Sequence, residues 1–178
     1  MGITNDHKPV TLTMSLTYGV DDRLVRAVIS VESGGDRWAW NPEPRYRWFW
    51  NVRTWQPFRP VTADEVKAKT PPPDFPALAG DPDQARWGQQ ASWGPMQVMG
   101  AVAREFGFRG RYLTELCDAS GIGMEMGCRV LAARLKWANG DVDAALASYN
   151  GGPAGNEPGR AQKRNAAYVA KVRAALRA

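Results

Sequence analysis

The chain has 178 residues, enough for a single domain with a core of its own and no need of disulfide staples. Its 44% hydrophobic and 23% charged residues are those of an ordinary soluble globular protein, and a net charge of +5 with a pI near 9.5 suits a polyanionic partner. No basic run interleaves with aromatics as a nucleic-acid groove requires, and the single histidine, His7, removes Ser-His-Asp and Cys-His catalysis and most zinc sites, so neither metal nor cofactor is expected.

In chain order, residues 1–17 read as a flexible N-terminus. The segment His7 to Tyr18 is interrupted by Thr11, Thr13, Ser15 and Thr17, so it makes neither a membrane span nor an export signal. From Asp21 to Ser33 the spacing predicts an amphipathic helix with Val25, Val28 and Ile29 inward. The next position of that stripe is Glu32, a carboxylate where a hydrocarbon belongs, and Ser33-Gly34-Gly35 stops the helix beside it. Partial desolvation there favours the neutral carboxyl and raises its pKa, which is what a general acid near neutral pH needs. A glutamate at a helix end pointing to water is the competing reading at this stage.

The region from about 38 to 91 is an insert. Trp38 to Trp93 holds seven of the eight tryptophans, and nine of the thirteen prolines lie between Pro42 and Pro82. Such a stretch makes no long helix and is too aromatic for a disordered linker, so it reads as an ordered loop or subdomain. One short helix is expected at Val61–Lys69, with Thr62 as N-cap and Pro71-Pro72-Pro73 beyond it. Most of the tryptophans are expected to form loop core, with one or two of Trp40, Trp48, Trp50 and Trp93 facing a cleft.

Helical signals resume at Ser92, with Pro95 at a first helical position and a stripe of Met99, Val102, Ala103 and Phe106 that Gly107 stops. Ile122, Met126, Val130, Ala133 and Trp137 mark a longer helix. Asp141 caps a short one carrying Val142, Ala145, Leu146 and Tyr149, ended by Gly151-Gly152. A last helix runs from about Lys163 with Tyr168, Val169, Val172 and Leu176 inward. Cys117 and Cys128 read as two small buried residues. No segment alternates at period two, so the fold class is mainly α.

Four segments carry special residues at helix ends: Val31-Glu32-Ser33-Gly34-Gly35, Ser92-Trp93-Gly94-Pro95-Met96-Gln97-Val98-Met99, Ala147-Ser148-Tyr149-Asn150-Gly151-Gly152 and Ala167-Tyr168-Val169-Ala170-Lys171-Val172. In this order, over roughly residues 18 to 176, they resemble the soluble lytic transglycosylase domain of the goose-type lysozyme superfamily. The resemblance implies a lysozyme-like α-helical domain and cleavage of the β-1,4 bond between N-acetylmuramic acid (MurNAc) and N-acetylglucosamine (GlcNAc) in peptidoglycan glycan strands. It implies Glu32 as the single acid/base, and Ser33, Ser92, Gly94, Met96, Gln97, Tyr149 and Asn150 as substrate-binding positions. Pro95 stands where the family usually has leucine. The insert, with Asn41-Pro42-Glu43-Pro44, is longer than in many members and is similar to that of phage-type ones.

Most glycosidases use two carboxylates, and Asp36 and Glu43 are the candidates for a second acid; if one of them holds a water, the enzyme is a hydrolytic muramidase. Without such an acid, the resemblance to lytic transglycosylases implies that the 6-hydroxyl of the muramyl residue closes a 1,6-anhydro ring. The reading is a monomeric phage endolysin or virion-associated lysin, made in the host cytoplasm and released to the cell wall, with no nucleic-acid partner or stable membrane insertion. A secretion-system enzyme of bacterial origin and a non-catalytic wall-binding or virion structural protein are the alternatives.

Overall fold

The computed structural model describes residues 8–78, 81–152 and 160–178, with side chains described for 10–78, 81–152 and 165–178. It is mainly helical. The elements are α1 (Lys8–Tyr18), α2 (Asp22–Glu32), β1 (Trp40–Pro42), β2 (Trp50–Asn51), β3 (Gln56–Pro57), α3 (Ala63–Lys67), α4 (Pro82–Gln89), β4 (Ala91–Trp93), β5 (Val98–Met99) and α5 (Gly100–Glu105). A 3-10 turn at Leu113–Cys117 follows, then α6 (Ile122–Trp137), α7 (Val142–Gly151) and α8 (Arg160–Arg177). The chain groups into two compact units, one of Met1–Gly35 with Gly127–Ala178 and one of Asp36–Met126, so that α6 begins in the second and continues in the first.

The first unit is a helical packing in which α8 lies against both α2 and α7, and α1 against α2. Its core takes Val25, Val28 and Ile29 from α2, Leu131 from α6, Ala145 and Leu146 from α7 and Val172 from α8, all without solvent exposure. α2 begins where Asp21 caps it, its carboxylate accepting from the Arg23 amide at 2.8 Å; Asp141 does the same for α7 through the amides of Asp143 and Ala144. The segment read as a flexible terminus is helical from Lys8 onward, and it has an inward side: Thr11 and Ser15, four residues apart, are buried. His7 lies outside the described residues.

The second unit holds the insert and is where the sequence reading needs most correction. A three-stranded antiparallel sheet runs β1-β4-β5, pairing Trp40 with Trp93, Asn41 with Ser92, and Ser92 with Met99. The helix expected from Ser92, with Pro95 in its first turn, is therefore a β-hairpin; helix begins only at Gly100. Strands of two or three residues are too short to show a period-two pattern, and Gly-Pro serves a tight turn as well as a helix start.

α3 forms as expected, with Thr62 and Glu65 making a reciprocal capping box. α4 was not anticipated; Asp81 as N-cap and Pro82 at the first position are its local signal. The insert's core is phenylalanine, not tryptophan. Phe75 meets Phe49 and Phe58 edge-to-face at 5.2 and 5.5 Å, with Val61 beside them. Trp38, Trp40, Trp48 and Trp87 are exposed, and Trp50, Trp55 and Trp93 only half-buried. A benzyl ring buries without leaving a polar atom unmatched, whereas an indole N–H needs an acceptor. Arg86 holds the insert from within: buried, it donates to the carbonyls of Glu65, Val66, Ala68 and Thr70 at 2.8–3.1 Å, gathering the C-terminal end of α3 and the bend after it. Cys117 and Cys128 are both buried, as expected.

Candidate active site

The apolar stripe of α2 delivers Glu32 as the last residue of the helix. Ser33 then caps the end, its amide donating to the Ile29 carbonyl at 3.1 Å and its hydroxyl to the same oxygen at 3.3 Å. Gly34 and Gly35, at φ of 65° and 90°, turn the chain away. Glu32 is thereby half-buried at the edge of the first unit's core. Burial raises its pKa from 4.5 to about 7, against the lowering effect of a hydrogen bond from Tyr168. The acid is therefore close to half-protonated at neutral pH.

Tyr168, on α8, donates its hydroxyl to Glu32 Oε1 at 2.7 Å. With Oε1 held as an acceptor, the proton of the neutral carboxyl belongs on Oε2. The phenol of Tyr168 is itself driven far above the usual tyrosine range, first by burial and then by the Glu32 charge, so it remains a donor at any working pH. Tyr149, on α7, is also pushed well above that range by burial, and feels the charge of Glu32. Asn150 follows it at the exposed end of α7 and donates to Asn165 Oδ1 at 2.8 Å; Asn165, buried, donates in turn to the Ala147 carbonyl at 3.0 Å. A Cβ at Gly151 would overlap the Asn165 carboxamide, so a larger residue there has to displace that side chain and its hydrogen bonds. Asn165 and Tyr168 stand three apart on one face of α8, so a single helix face carries both supports.

Of the expected site residues, Glu32, Ser33, Tyr149 and Asn150 lie in the first unit, whereas Ser92, Gly94, Met96 and Gln97 lie in the hairpin of the second. There the Ser92 hydroxyl donates to Gln97 Oε1 at 3.2 Å, and Gln97 Nε2 donates to the carbonyls of Ala39 and Gly94 at 3.0 and 2.9 Å. Gln97 adopts a left-handed conformation, φ 47°, rare for a residue with a side chain and here secured by those bonds. Both amide hydrogens are engaged within the protein, so Gln97 braces the turn. Met96, in the same turn, is wholly buried.

The two candidate second acids sit in exposed turns of the second unit. Asp36 accepts from the Trp38 amide at 2.8 Å, and Glu43 accepts from Asn41 Nδ2 at 2.8 Å. Both are local turn-forming contacts of carboxylates in water. Among the described residues, no group of three His, Cys, Asp or Glu side chains is placed to hold a metal ion.

Sequence reading placed Tyr168 on an inward helix face without giving it a role, and it passed over Asn165. The signal available was their spacing of three on the face that carries the Tyr-Val motif. An acid poised near neutrality, with one oxygen fixed by the Tyr168 phenol and Tyr149 close enough to feel its charge, is equipped to give up and recover a proton. The family model for the transglycosylase SLT domain matches residues 11–171, a span that includes Glu32, the Ser92–Gln97 turn, Tyr149 and Tyr168. No curated protein and no solved structure matches the chain. With the model covering nearly its whole length, the chain belongs to the transglycosylase SLT domain family, enzymes that act on peptidoglycan as lytic transglycosylases.

Proposed function

We propose that Glu32 alone serves as acid and then base in cleaving the MurNAc-β-1,4-GlcNAc bond, leaving a 1,6-anhydromuramyl end. The observation that carries this reading is the Glu32–Tyr168 pair: a half-buried carboxyl with a pKa of about 7 and one oxygen held by a phenol. Neutral Glu32 gives its proton to the glycosidic oxygen as the bond to C1 breaks, and positive charge builds on the sugar ring. The substrate's own N-acetyl oxygen closes on C1 in place of a protein nucleophile, an established exception to the two-carboxylate scheme. Glu32, now a carboxylate steadied by the Tyr168 hydroxyl, takes the proton of the 6-hydroxyl while O6 displaces the acetamido oxygen at C1. A 6-hydroxyl held against the reacting carbon outcompetes water through its effective molarity. Tyr149 and Asn150 orient the sugar.

The exposed, turn-bound positions of Asp36 and Glu43 favour ring closure over hydrolysis. Mass spectrometry of digested murein is the test: anhydro ends are one water lighter than reducing ends. Only reducing ends, with strong loss of activity in Glu43→Gln or Asp36→Asn, would leave the muramidase reading standing.

Tyr168→Phe removes the donor that favours the Glu32 carboxylate. The pKa of Glu32 then rises beyond about 7, and the alkaline limb of the kcat–pH profile moves to higher pH. The base step slows at the same time, and kcat is expected to fall about 10- to 100-fold. A fall in rate with the alkaline limb unmoved would deny Tyr168 this part.

The similarity of the Asn41–Pro44 insert to phage-type members supports an origin as an endolysin or virion-associated lysin, acting on the wall of its host. Genes for a holin or for tail components beside the coding sequence would bear this out. A neighbourhood of secretion-system genes would instead make it a bacterial enzyme.

A further inference from the structure

The second unit contains a pocket of about 350 Å³, within the range of about 300–1,000 Å³ typical of small-ligand sites. It lies on the opposite face of the three-stranded sheet from the Ser92–Gln97 brace. Side chains alternate along a strand, so Asn41 and Ser92 project one way while the paired Trp40 and Trp93 project the other, toward the pocket.

Its walls are aromatic. The rings of Trp40 and Trp93 lie nearly parallel, 21° apart with centroids at 6.0 Å, and the Trp93 indole N–H is anchored to the Gly88 carbonyl at 2.8 Å. Trp87 from α4 and Tyr112 complete the walls, above a floor that includes Val52 and Leu113. Trp40, Trp87 and Tyr112 are 59, 46 and 41% exposed, an unusual concentration of large aromatic surface facing water around one cavity. At the rim stand Gln84, Arg111 and Thr114; among the described residues none of these three side chains makes a hydrogen bond within the protein. Gln84 and Trp87 are three apart on α4 and so share the face that lines the pocket.

Flat rings, an apolar floor and edge donors free of hydrogen bonds within the protein, with the Arg111 guanidinium 5.3 Å from the centre of the Tyr112 ring, match an amphipathic, disc-shaped ligand. A pyranose with an N-acetyl group has that chemistry: axial C–H faces for the indoles, an acetamido methyl for the floor, and hydroxyls for the carboxamide, hydroxyl and guanidinium of the rim. Arg111 adds a positive charge toward a carboxylate carried by the same polymer. We propose that this pocket, whose lining shares no residue with the candidate active site, is a further glycan site that holds an N-acetylated amino sugar of the wall polymer. It rests on the assignment of peptidoglycan as substrate.

The experiment titrates the full-length Glu32→Gln protein with tri-N-acetylchitotriose and, separately, with a soluble GlcNAc–MurNAc tetrasaccharide, following tryptophan indole N–H signals by NMR. The expected result is that Trp40, Trp87 and Trp93 shift together and saturably, while Trp38, Trp48 and Trp137 do not. Trp87→Ala or Gln84→Ala, both exposed, is expected to weaken that response at least tenfold with the thermal melt retained. Stronger binding of the tetrasaccharide than of chitotriose, lost in Arg111→Gln, would assign the guanidinium to the lactyl carboxylate. Unmoved Trp40, Trp87 and Trp93 signals at saturating glycan would overturn the proposal. So would a shift produced by a leucine-rich peptide and not by glycan, which would make the pocket a peptide-docking site. Cleavage of murein by the wild-type protein, measured alongside, separates either failure from an error in the assigned substrate.

Discussion

Glu32→Gln is expected to lower murein turnover by about a thousandfold or more and, at alkaline pH, to make the protein more stable. General acid–base catalysis typically contributes about 10²- to 10⁴-fold, and one residue here is assigned both proton transfers, so its loss falls at the upper part of that range. Glutamine keeps the size of the side chain and an oxygen for the Tyr168 hydroxyl, so the fold is retained. The stability effect follows from the direction of the shift. The folded pKa, about 7, lies above the unfolded value of 4.5, so between these the folded state binds more protons and stability falls as pH rises. Below pH 4.5 the wild-type protein bears no such cost. Above pH 7 it bears all of it, roughly 2–3 kcal/mol after allowance for partial exposure. Glutamine cannot ionise and escapes the loss. Its Tm should exceed that of the wild type by roughly 4–10 °C at pH 8 and equal it near pH 4. Turnover in the wild type should decline about tenfold per pH unit above 7, as the protonated acid is lost. Equal clearing of murein by the two proteins would remove Glu32 from the mechanism, and a Tm gap independent of pH would show that the carboxyl is not desolvated in solution.

Gly94→Ala is expected to destabilise the second unit by about 3 kcal/mol. Gly94 has φ of 71°, and a Cβ there would stand 2.5 Å from the Leu116 carbonyl oxygen, a backbone atom that no rotamer change can move aside. Left-handed backbone costs a non-glycine residue of order 1–3 kcal/mol, and the overlap adds to it. The Gly94 amide donates to Ala39 at 2.8 Å, and its carbonyl accepts from Gln97, so displacement of this residue also loosens the brace on the hairpin. Gly34→Ala is the matched control: φ is 65°, but nothing lies within 4 Å of its Cβ, and a cost of about 1 kcal/mol is expected. Thermal melts of the two variants give the comparison. Equal losses would mean that the carbonyl yields and that only backbone conformation matters.

Features encoded by neighbouring residues were legible without a structure. The stripe 25–28–29–32, the caps at Asp21, Thr62 and Asp141 and the Gly-Gly stops each depend on a few consecutive positions, and those helices stand where the periodicity puts them. The anomaly of Glu32 was legible too, a carboxyl on an apolar stripe, but the stripe alone left open a side chain pointing to water; burial in the fold decides that its pKa rises. The Ser92–Met99 hairpin was misread because a glycine-proline turn has the same local chemistry at a helix start; what makes it a hairpin is pairing with Trp40–Pro42, about fifty residues earlier in the chain. The tryptophans were expected inside, but composition states how much apolar surface a segment owns and not which ring occupies the core. Tyr168 reaches Glu32 across 136 positions of sequence, and only the packing of α8 on α2 brings them to 2.7 Å. Local propensity and patterning thus determined that the chain is helical and where the carboxyl of Glu32 stands. The partner of that acid, the brace on Gln97 and the aromatic pocket come from long-range packing, whose contacts leave no periodic trace along the chain.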